Sequence, residues 1–77
     1  MDTGIIKKKE TIGDIVTAIV SCENGEPKQV FASLTSVISC GDFDVLDMSE
    51  IGDRVEFISF YTGSEYGEEL TYINVLK

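Results

Sequence analysis

Ile15-Val16-Thr17-Ala18-Ile19-Val20 is dense in β-branched side chains, and what bounds it decides the fold. Branching at Cβ stiffens χ1 and suits the pleated surface of a sheet better than a helix. Before the run stands Ile12-Gly13-Asp14, and after it Glu23-Asn24-Gly25-Glu26-Pro27. Asn-Gly is a strong tight-turn signal, and proline has no amide to donate to a ladder. The run is therefore a strand held between two turns. Working outward, Gly4 to Lys9 reads as a short first strand and Gln29 to Leu34 as a third. Thr35-Ser36-Val37-Ile38 has room for one tight helical turn. Ser39 to Gly52 holds Gly41, Gly52 and the acids Asp42, Asp44, Asp47 and Glu50, and reads as a long solvated connection. Val55 and Phe57 alternate with Arg54 and Glu56, the period of a half-buried strand. Thr62 to Glu68 reads as a loop, and Leu70 to Leu76 as a last strand with Thr71, Ile73 and Val75 on one face. No window carries a helical stripe. The pattern predicts an all-β fold over residues 1–77, a small closed or nearly closed antiparallel barrel of five strands.

The composition narrows the chemistry. Of 77 residues 43% are apolar, enough for one compact core. A chain this short buries only about 60% of its unfolded surface, so the expected stability is modest. No apolar run approaches the length of a membrane-spanning helix. Lys7, Lys8 and Lys9 follow Ile5-Ile6 with no long apolar region behind them, so a secretory signal is not expected and a cytoplasmic location is. The chain has no histidine, which excludes histidine bases and histidine metal ligands. Cys22 and Cys40 allow one disulfide at most and are expected as free thiols. The acids between Asp42 and Asp53 depart from a calcium loop, because Leu46 and Asp47 stand where an oxygen ligand and a glycine are needed. No carboxylate pair is singled out by spacing. A non-enzymatic chain without metal or cofactor is the expectation.

Fourteen acids against six bases give a net charge of -8. The imbalance is local: residues 1–39 carry five acids and four bases, residues 40–77 nine acids and two bases. Such a field repels duplex DNA from most of the surface and favours cationic partners.

Fragments spread along the chain are similar to a known family. Thr3-Gly4-Ile5-Ile6-Lys7 resembles x-G-x-V-K; Val30-Phe31-Ala32-Ser33-Leu34-Thr35-Ser36-Val37-Ile38 resembles V-F-V-H-F-S-A-I; Gly41-Asp42-Phe43 falls where D-G-F occurs. Ser49 to Phe57 resembles L-x-x-G-x-x-V-x-F, and Asn74-Val75 falls on a final A-N-V. In this order they resemble a bacterial cold-shock domain along nearly the whole chain. The resemblance implies an OB-fold barrel that binds single-stranded RNA or DNA by stacking bases on surface aromatics, with lysines along the phosphate path. Carried over by position, it gives Lys7, Lys8, Lys9, Phe31 and Phe43 as the nucleic-acid-binding residues. Most other platforms are missing. The W-F after the first lysine is Lys8-Lys9 here, and the K-G-F-G-F-I region is Gly13-Asp14-Ile15-Val16-Thr17-Ala18-Ile19, without an aromatic. At about 1–3 kcal/mol per stacked base, such losses weaken binding by orders of magnitude.

Two functions follow, and the resemblance puts the first ahead of the alternative. One is a cold-shock-like module that binds single-stranded nucleic acid weakly. The other is an acidic module, a nucleic-acid mimic in its charge, that binds a basic protein partner. For the second, Asp42, Asp44, Asp47 and Glu50 supply charge, and Ile58, Phe60 and Tyr61 supply an apolar anchor beside Tyr66 and Tyr72.

Overall fold

In the computed structural model, which describes residues 1–77, the strands end where the turn signals lie. The order is β1 (Asp2–Ile12), β2 (Ile15–Cys22), β3 (Lys28–Ser33), α1 (Cys40–Met48), β4 (Arg54–Phe60) and β5 (Glu68–Leu76). The strands close into a barrel in the order β1-β2-β3-β5-β4, with β4 returning to β1. Four of the five seams are antiparallel, but β3 and β5 run parallel through Val30–Glu68 and Phe31–Glu69. The expected purely antiparallel barrel is corrected at that seam. After β3 the chain crosses to β1, where β4 pairs antiparallel; β5 then returns beside β3 running the same way.

Alternate residues fill the barrel. Ile6, Val16, Ala18, Val20, Val30, Ala32, Val55, Phe57, Leu70 and Ile73 form one buried cluster. Two irregularities set which side chains face in. On β1 the register shifts between Ile6 and Lys8, so Lys7 is an extra, exposed residue. On β5, Ile58 lies opposite Tyr72 but Ser59 lies opposite Leu70, which leaves Thr71 without a partner residue. Thr71 is exposed and donates its Oγ1 hydrogen to the Ile58 carbonyl at 3.2 Å, while Leu70 and Ile73 both turn inward. Strict alternation of Thr71, Ile73 and Val75 is thus broken by a bulge.

The main departure from the sequence reading lies between Ser39 and Gly52. Instead of a solvated connection it holds α1, whose Phe43 and Leu46 close one end of the barrel at 6% and 0% exposure. The segment Thr35–Ile38 leads into it by turns, with the Cys40 amide bonded to the Ser36 carbonyl at 2.9 Å. Nine residues with Gly and three Asp are a poor isolated helix. Burial of two apolar side chains three residues apart holds it in place. Cys22 and Cys40 are free thiols, and no helix is long and apolar enough to cross a membrane.

Candidate functional site

The five residues expected to meet nucleic acid are dispersed. Phe43 belongs to the core, so its ring is not offered to a base. Phe31 points outward from β3 but is only 7% exposed, because the loop before β5 folds over it. The Tyr66 ring stands 5.9 Å from it, tilted by 55°. Two contacts seat that loop. Gln29 Nε2 donates to the Tyr66 carbonyl at 3.0 Å, and Gly67 packs on the Gln29 carbonyl so tightly that a Cβ there would collide with it. Gly67 also has φ +106°, which an L side chain rarely adopts.

The lysine triplet is divided by the β1 bulge. Residues directly opposite in a ladder share a face, and Lys9 lies opposite Ala18, an inward residue. Its ammonium accordingly turns under the barrel and donates to the Asp47 carbonyl at 2.6 Å and to the Ser49 carbonyl, at the C-terminal end of α1. A cation there also suits the helix dipole. Thr11 Oγ1 adds a bond to Asp47 Oδ1 at 2.6 Å. Lys7 and Lys8 remain exposed without an ion pair or side-chain hydrogen bond. Lys8 borders a shallow groove of about 210 Å³ with Glu10, Thr17, Ile19 and Gln29, which has no aromatic wall.

The alternative set is more open. Ile58, Phe60 and Tyr61 are exposed by 44%, 37% and 80%. Tyr72 lies directly opposite Ile58, with its hydroxyl donating to Glu56 Oε2 at 2.8 Å, a bond that pushes the phenol pKa up. Tyr66, by contrast, belongs to the Phe31 contact. Among the acids, Asp44 and Glu50 are exposed. Asp47 is bound by Thr11, and Asp42 is half-buried against β5. Burial raises the Asp42 pKa, partly offset by a hydrogen bond from the Ile73 amide.

Two polar arrangements escaped the sequence reading. Glu69 is 7% exposed, and its Oε2 accepts hydrogens from Ser36 Oγ at 2.5 Å and Ser39 Oγ at 2.7 Å; Ser39 Oγ also accepts from the Ser33 amide at 2.9 Å. This network ties the approach to α1 onto the β3–β5 seam. At the other arrangement Lys28 bridges Asp2 at 3.0 Å and Glu68 at 3.6 Å, in an open groove of about 670 Å³ that also takes in Cys22 and Tyr61. The Asp2 hydrogen bond raises the Lys28 pKa. Burial and the Asp2 carboxylate raise that of Cys22, which keeps the thiol protonated and a poor nucleophile. The serine spacing in Ser33-Leu34-Thr35-Ser36-Val37-Ile38-Ser39 was the available signal for the first arrangement; nothing local marked the second.

No family model matches this chain, and no curated protein or solved structure matches it either.

Proposed function

We propose that this barrel is a non-enzymatic binding module, acting in the cytoplasm, whose ligand is the basic surface of another protein. The supporting observation is the contrast in availability. The rings and one of the lysines suited to single strands are engaged inside the molecule, whereas Ile58, Phe60 and Tyr61 are exposed together at one end of β4. Aromatic anchors in a polar rim are the usual centre of a protein contact. Asp44 and Glu50, free on the surface, add long-range attraction for a cationic partner. The cold-shock-like order of the sequence motifs favours the second reading, weak single-stranded RNA or DNA binding. One observation supports it: Lys8, unpaired like Lys7, borders the Thr17–Ile19–Gln29 groove.

A chemical-shift titration separates the readings. The proposal expects a lysine- and arginine-rich peptide carrying one leucine to shift Ile58, Phe60 and Tyr61, and Phe60→Ser to abolish those shifts. Oligo-dT at low salt is expected to leave the spectrum unchanged. Oligo-dT shifts at Lys8, Thr17 and Ile19 would overturn the protein-partner reading. In that case the slope of log K against log salt is expected near about -1.4, two phosphate contacts at roughly 0.7 each on a single strand, since Lys9 is engaged elsewhere.

A further inference from the structure

The barrel is closed, yet one stretch of it has an open edge. β1 pairs with β2 up to Ile12, but with β4 only from Asp2 to Ile5. Ile6 is the last residue held from the β4 side, by its amide on the Asp53 carbonyl at 3.0 Å and by the Gly52 amide on its own carbonyl at 2.8 Å. From Lys7 to Ile12 the side of the strand away from β2 has no partner strand. An open edge of this kind is a template for another strand.

We infer that the Lys7–Ile12 edge of β1 pairs antiparallel with the same edge of a second copy, about a two-fold axis at Lys9. The charges select this register. Where two copies extend one sheet about a two-fold axis, outward residues must lie opposite outward residues. The outward residues here are Lys8, opposite Ile19, and Glu10, opposite Thr17. An axis at Lys8 sets lysine against lysine, and an axis at Glu10 sets glutamate against glutamate. Only the axis at Lys9 sets Lys8 of each copy against Glu10 of the other, twice over. Opposite charges directly across a ladder stabilise it, and like charges destabilise it.

One further feature agrees with that register. At the axis itself the two Lys9 ammoniums stay apart, because each is held by the Asp47 and Ser49 carbonyls of its own helix. The pairing does not use Ile58, Phe60 or Tyr61, so it is independent of the proposed partner surface.

Sedimentation equilibrium on the full chain tests this, together with the charge variants Lys8→Glu and Glu10→Lys. Both side chains are exposed, and circular dichroism checks that each variant folds. The wild type is expected to dimerise, and each variant alone to raise the dimer Kd by about tenfold or more, since each replaces two attractive cross-strand pairs with two repulsive ones. A one-to-one mixture of the two variants restores both attractions. It is expected to dimerise with the wild-type Kd within about threefold, a factor that allows for context. A wild type that stays monomeric at millimolar concentration would overturn the inference. So would variants that dimerise as well as the wild type, or a mixture no tighter than its components.

Discussion

Two outer faces of this barrel carry a pair of aromatic residues each, and they differ in what the loop between β4 and β5 does to them. Over β3, Phe31 and Tyr66 meet each other and the phenylalanine is 7% exposed; at the end of β4, Phe60 and Tyr61 are 37% and 80% exposed. The same loop produces both outcomes. Its start carries Tyr61 out into solvent, and its end, anchored through Gln29 and Gly67, lays Tyr66 over Phe31. An aromatic is a platform only where nothing in its own chain covers it. A count of rings therefore says little about binding, and the seat of a loop says much.

The sharpest way to break this comparison is to truncate one ring from each face. Phe31→Ala is expected to cost about 3 kcal/mol of stability, the low end for a buried phenylalanine. Phe60→Ala, with more of its surface already in water, should cost about 1 kcal/mol or less. Urea denaturation measures both. Equal losses would mean that Phe31 is no better covered than Phe60, and the contrast between the faces would fail.

A smaller effect separates the lysines. Lys9→Met removes two charge-assisted bonds to carbonyls at the end of α1, for an expected loss of about 1–2 kcal/mol. Lys8→Met removes no intramolecular bond and should stay within about 0.5 kcal/mol. Thermal unfolding of the two variants side by side checks the difference. If Lys8→Met proved the more damaging, the assignment of Lys9 to the helix and Lys8 to solvent would be reversed.

How far these features were legible depended on their range along the chain. The β2 run, the Asn24-Gly25 turn and the Val55–Phe57 alternation are local, and each appears as read. The outward direction of Ile58 and Phe60 followed from the same alternation and holds despite a bulge, because the extra residue, Thr71, lies on the partner strand. The helix was hidden by its own sequence. Gly41, Asp42, Asp44 and Asp47 are weak helix formers, and the signal was reduced to Phe43 and Leu46, whose value appears only once the open barrel end exists to receive them. The parallel β3–β5 seam rests on two residue pairs some 38 positions apart, with no local trace. The division of the lysines needed the Lys7 bulge, and the covering of Phe31 needed the seat of Gly67; both are tertiary facts.

The subtlest expected effect concerns the acids on the α1 side, read from sequence as uniformly solvated. Asp42 departs from that reading, since burial against β5 raises its pKa. A group whose folded pKa lies above its unfolded value, about 3.9 for aspartate, favours the folded state most when protonated in both states. That contribution is present below about pH 3.9 and is lost as pH rises through the folded value. At neutral pH the half-buried carboxylate is therefore a net burden, partly relieved by the Ile73 amide. Asp42→Asn keeps an oxygen for that amide and removes the charge. It is expected to raise the melting temperature at pH 7 and to leave it nearly unchanged at pH 3, where the wild-type residue is itself protonated. A melting temperature at pH 7 that Asp42→Asn leaves unchanged would return Asp42 to the solvated set and leave α1 with one acidic face rather than an acidic face and a buried seam.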